Sequence, residues 1–143
     1  GAVLIYFLDA SALVKAYVRE AGTEDVRKLL RRTLAVSAVS LVEVTSAIRR
    51  RAREGALSQP HADLAAAAVK ADLRAMWIVE ARRPVLEVAA DLVGLHPLRA
   101  YDAVQLASAL TLAKRAGAVT FVCSDALLTE AARKEGLRGL EVG

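Results

Sequence analysis

Four acids, Asp9, Glu43, Asp102 and Asp125, stand where carboxylates can do chemistry. Asp102 is the most unusual. It opens the stretch Arg99–Gly117 and shares one apolar line with Leu106, Ala109 and Ala113 at 3.6 residues per turn. An ionised acid on a packed face is costly unless it is paired or binds a cation. No Lys or Arg follows three or four residues later. The local alternative is an ion pair with Arg99 or a favourable place at the helix start. Asp9 ends the apolar run Ala2–Leu8, and Asp125 closely follows the run Ala118–Cys123. Glu43 comes soon after Leu34–Ala38, among apolar Leu41, Val42 and Val44. Each acid alone is explicable as a helix-start or solvated residue, with a helix-start acid worth about 0.3–1 kcal/mol. Four at converging positions would repel one another unless something cationic sat between them. Carboxylates without His or Cys suit a hard cation such as Mg²⁺ or Mn²⁺. Such an ion acts on phosphoryl oxygens and activates water for in-line attack.

The elements that must position these acids are short. The continuous apolar run Ala2–Leu8 reads as a strand buried on both faces, Leu34–Ala38, Trp77–Glu80 and Ala118–Cys123 as further strands, and Leu140–Val142 as a short fifth. Between them lie helical stretches: Ser11–Tyr17, a helix capped by Thr23, one from Ser40 to the RRRARE run, Ser58–Arg74, Pro84–Val93, Arg99–Gly117, and one capped by Ser124 and running to Lys134. Gly94 and Pro97 mark the turn into the Arg99–Gly117 helix. This alternation predicts one α/β domain, 1–143: a three-layer α/β/α sandwich with a four- to five-stranded, mostly parallel sheet and right-handed crossovers. Ligands of such sheets bind beyond the carboxyl ends of the strands, where all four acids fall.

Composition narrows the class. The 143 residues can bury a sizeable core of Ala, Leu and Val, with few aromatic rings. No apolar run approaches the ~20 residues that span a bilayer, so no membrane partner is expected, and the apolar start reads as a strand rather than a leader. A single cysteine suits a reducing cytoplasm. From Arg27 to Arg53 there are eight basic residues and one acid, Glu43, a possible phosphate footprint. Its densest part, Arg49, Arg50, Arg51 and Arg53, reads equally well as a solvated helix end or as contacts to the phosphates of a nucleic acid. His61 and His96 lack metal-ligand spacing. A dehalogenase-like phosphotransferase needs a second Asp where Ser11 stands, and a dinucleotide fold needs a Gly-rich turn after the first strand, which is missing.

The segments Leu8-Asp9-Ala-Ser11-Ala-Leu-Val-Lys, Ser40-Leu-Val-Glu43-Val, Arg99-Ala-Tyr-Asp102-Ala-Val-Gln-Leu-Ala-Ser-Ala-Leu and Phe121-Val-Cys-Ser-Asp125-Ala-Leu-Leu resemble, in order and spacing, those of PIN domains, and most of all the VapC-type toxin nucleases. The resemblance implies a Mg²⁺- or Mn²⁺-dependent endoribonuclease, an RNA substrate, a VapB-type antitoxin that blocks the site, and a homodimer. It makes Asp9, Glu43, Asp102 and Asp125 the catalytic acids. Asp9 and Asp102 would be the principal metal ligands, Asp125 would complete the ring or help hold a second ion, and Glu43 would act through water. Ser11 would support Asp9. Cys123 departs from the hydroxyl usual two residues before the fourth acid, and a thiol is a weak donor. The alternatives are a PIN-like binding module or a housekeeping nuclease whose acidic pocket a partner occupies.

Overall fold

Short apolar runs rich in β-branched and aromatic residues alternate with amphipathic stretches, and the chain folds accordingly. The computed structural model describes residues 3–143. In order they form β1 (Ile5–Leu8), α1 (Ala10–Leu13) leading into a 3₁₀ turn (Val14–Ala16), α2 (Thr23–Leu29), β2 (Thr33–Ser37), α3 (Ser40–Arg53), α4 (Gln59–Leu73), β3 (Trp77–Val79), α5 (Arg83–Leu95), α6 (Ala100–Ala116), β4 (Val119–Cys123), α7 (Ala126–Lys134) and β5 (Arg138–Glu141). No helix among the described residues is long and apolar enough to cross a membrane.

All five strands pair parallel in the order β3-β2-β1-β4-β5, so the expected sheet is present with its fifth strand. Successive strand residues face opposite sides. Ile5, Phe7, Ala35 and Phe121 enter one core with Val85, Leu92, Leu106 and Leu128 of α5–α7. Leu8, Leu34, Val36 and Val122 enter the other with Ala12, Val26, Val44, Ile48 and Val69 of α1–α4. Phe7 and Phe121 stack between neighbouring strands, ring centroids 5.8 Å apart. The chain moves outward from β1 through β2 to β3, then returns to the other side of β1 for β4 and β5. The order therefore reverses between β1 and β4, and a crevice at such a reversal is where open α/β sheets hold ligands.

Several boundaries differ from the sequence reading. Ala2 lies outside the described residues, and the first strand begins only at Ile5, since Val3 and Leu4 are exposed. Thr23 is the first residue of α2 rather than its cap. Gly22 precedes it at φ 92°, and the Thr23 hydroxyl accepts instead from the Glu20 N–H. A side chain at position 22 would also collide with the Gly143 backbone. Gly94 does not mark the turn but lies inside α5, because a lone glycine costs a helix only about 1 kcal/mol. Ser124 does not cap α7; Asp125 does, its carboxylate being the stronger acceptor for the free N–H groups. The last strand is Arg138–Glu141 rather than Leu140–Val142, held by pairing to Thr120–Cys123.

Candidate active site

Asp9 leaves β1 in extended backbone and caps α1. Its Oδ1 accepts both hydrogen bonds, from the Ala12 N–H (2.9 Å) and the Ser11 hydroxyl (2.7 Å). Its Oδ2 accepts none among the described residues. The Ser11 Oγ in turn accepts from the Ser124 N–H at 3.0 Å, tying the turn after β1 to the turn after β4. Asp9 is 3% exposed. That burial lifts its carboxyl from 3.8 to about 7. The Ser11 and Ala12 bonds pull the other way, and the nearby Asp102 and Glu43 charges raise it further.

Glu43 lies in the first turn of α3. Its Oε1 accepts from the Gln105 amide at 3.0 Å, while the same amide nitrogen donates to Ser40 Oγ at 2.9 Å. Gln105 is 1% exposed and ties α6 to α3. Its own Oε1 is buried without a partner among the described residues. Burial raises the Glu43 carboxyl, the Gln105 bond lowers it, and Asp102 raises it. The sequence reading missed Gln105, although a large amide three residues after Asp102, on a helix of small apolar residues, was a signal of the same kind as Asp102 itself.

Asp102 accepts no hydrogen bond and forms no ion pair among the described residues. The Arg99 partnership expected as its local alternative is not formed. Burial raises its carboxyl, Asp125 raises it further, and Arg99 lowers it by charge alone. Asp125 is exposed at the start of α7, where its Oδ1 accepts from the Leu127 and Leu128 N–H groups (2.8 and 3.2 Å). Asp9 and Asp125 therefore both cap helices, and each does so through one oxygen only. Cys123 donates to none of the four carboxylates: its thiol meets Thr129 Oγ1 (3.0 Å) and the Asp125 backbone carbonyl (3.4 Å), and burial, with the Asp9 charge next, pushes it up to about 11. The hydroxyl support at this end of the sheet comes from Ser11.

The Asp102 and Glu43 charges thus act on Asp9, the Asp102 charge on Glu43, and the Asp125 charge on Asp102. None of the four pairs with a Lys or Arg among the described residues. The donors are all oxygen, a set that fits a hard divalent cation rather than zinc. Among the described residues no three His, Cys, Asp or Glu side chains stand close enough to enclose an ion as they lie. His61 and His96 are engaged elsewhere, with Ser58 Oγ (2.9 Å) and Glu135 (2.6 Å).

The arginine run is not brought to this rim. Arg49 lies six residues beyond Glu43 on α3, about 9 Å along the axis, and Arg53 about 15 Å. Arg49 pairs with Asp63 and Arg51 with Glu20, leaving Arg50 and Arg53 exposed. Glu20 also holds the nearly buried Lys15 ammonium at 3.1 Å. Glu20→Ala strands Lys15 beside the Ala21 carbonyl and leaves Arg51 unpaired. The expected loss is about 2–4 kcal/mol of unfolding free energy in urea titration. A loss under about 0.5 kcal/mol would mark these as ordinary surface pairs.

The PIN domain family's sequence profile matches residues 6–135. The chain belongs to the PIN domain family. PIN domains are nucleases, which hydrolyse phosphodiester bonds. No curated protein matches the chain in sequence. The PIN fold seen here recurs in PAE2754 from Pyrobaculum aerophilum, with TM-score 0.63 and 23% identity over 95% of this chain and 83% of that one. It recurs in FitAcB from Neisseria gonorrhoeae, with TM-score 0.68 and 14% identity over 95% and 96%. VapC20 from Mycobacterium tuberculosis, a sarcin-ricin loop cleaving toxin, has TM-score 0.66 and 17% identity over 88% and 94%.

Proposed function

We propose that this PIN domain is a Mg²⁺- or Mn²⁺-dependent endoribonuclease and the toxin of a VapBC-type pair. The observation that carries the nuclease reading is the placement of four carboxylates at the strand ends and helix starts of one sheet rim, none paired to a base among the described residues. When bound, the divalent ion supplies Lewis-acid polarisation of a phosphoryl oxygen and a water of lowered pKa. Asp9 and Asp102 would hold it, the Asp9 Oδ1 being fixed by Ser11 and Ala12, and Asp125 would support it from the start of α7. Glu43, oriented by Gln105, positions the attacking water and takes its proton. The toxin reading is supported by the company of the fold: structures sharing it include a VapBC2–promoter DNA complex from Rickettsia felis and a DNA-bound VapBC from Salmonella typhimurium. It entails a VapB-type antitoxin, a homodimer and action in the cytoplasm.

The test is cleavage of a mixed single-stranded RNA pool with Mg²⁺, Mn²⁺ or chelator, with Asp102→Asn beside the parent. Cleavage that requires the metal and falls by at least about a hundredfold in the variant is the expected result, as for loss of a group that stabilises transition-state charge. Metal-independent cleavage, or equal cleavage by the variant, would refute the assignment. Absence of cleavage in both, with metal still bound, would favour the binding-module alternative.

A further inference from the structure

We infer that Tyr101 is a stacking platform for an unpaired nucleobase next to the phosphate addressed by the four acids. The base held there is one that a duplex does not already stack. The inference rests on the nuclease reading above and adds to it a residue that sets which RNA is accepted. Tyr101 and Gln105 are four apart on α6 and share a face, and helical side chains lean toward the N-terminus. Gln105 reaches Glu43 and Ser40 from that face. Tyr101, one turn nearer the open end and adjacent to Asp102 in the chain, therefore stands over the same side of the rim. It is 62% exposed, and Val42, immediately before Glu43, is 70% exposed.

The protein has few rings to spare. Phe7 and Phe121 stack in the core, the Tyr17 hydroxyl is tied to Asp72, and Trp77 opens β3 at the end of the sheet away from the acids. A ring left 62% exposed gains only part of the stabilisation that burial would give it. A flat base offers it a partner, since every base has a π-face. Bases inside a duplex are already stacked on one another and cannot reach it.

The test is equilibrium binding of a short mixed-sequence oligoribonucleotide, single-stranded or as a duplex, in the Asp102→Asn background with divalent metal. Tyr101 is kept, or replaced by Phe or by Ala, and circular dichroism checks the fold. Truncation of a stacked aromatic weakens single-strand binding by about 5- to 150-fold. That loss is expected for Tyr101→Ala, with Tyr101→Phe within about twofold of the parent and duplex binding unaffected. A Tyr101→Ala protein within about twofold of the parent, or a Phe variant as weak as Ala, would overturn the proposal and assign the exposed ring to a protein contact. Cleavage by the wild-type chain with no Tyr101 effect would sink the stacking site alone. Tyr101-dependent binding without cleavage by the wild type would sink the nuclease reading alone. No binding by any of the proteins would remove both.

Discussion

Asp9→Asn is expected to abolish cleavage and to raise the melting temperature at pH 8. Asn caps a helix as well as Asp, so the bonds from Ser11 and Ala12 survive. The amide removes a buried charge that the Glu43 and Asp102 charges oppose. The sign follows from linkage. The folded carboxyl titrates at about 7 and the unfolded one near 3.8, so the folded state holds the proton more tightly. Stability from this group is full below pH ~4, declines as pH rises, and is gone above ~7. At 1.36 kcal/mol per unit, the whole shift amounts to about 4 kcal/mol. A domain of this size gains about 2–4 °C per kcal/mol. Calorimetry in chelator should therefore show Asp9→Asn several degrees above the parent at pH 8 and level with it at pH 4. A difference independent of pH would mean that Asp9 is not held protonated by burial. A functional acid that destabilises its own fold is a common cost of a site built for a cation.

Affinity for Mn²⁺ is expected to fall steeply in acid. Metal binds the ionised carboxylates only, so protons must leave as it enters. With Asp9 titrating at about 7, apparent affinity should drop about tenfold per unit below that pH, and the raised Glu43 and Asp102 carboxyls steepen the fall. Isothermal titration between pH 5.5 and 8, in buffers of different ionisation enthalpy, reads both affinity and protons released. Affinity that stays flat across this range would exclude Asp9 as a ligand. Cleavage should follow the same curve, since the same ionised groups serve it.

The alternation of strands and helices, the parallel sheet and the ends of most elements were legible from local pattern. Apolar runs too short for helices, Ser58 as a cap and Gly117 as a stop act within a few residues of themselves, and the structure keeps both ends. The four acids were legible for the same reason: each sits at a strand end or in a helix's first turn, and parallel topology sends those to one rim. Competition for the same N–H groups was not legible. Ser124 read as the cap of the last helix, but its N–H donates to Ser11 across two neighbouring strands, and the carboxylate of Asp125, one residue on, accepts from the helix's free N–H groups. The arginine run looked like one basic patch, yet Glu20 and Asp63 claim two of its members once α3 packs beside the α1–α2 turn and α4. Gln105 meets Glu43 across 62 residues of chain. Sequence periodicity specifies which face each residue occupies on its own element. The partner waiting on that face depends on strand order, a long-range choice that only the packed sheet makes.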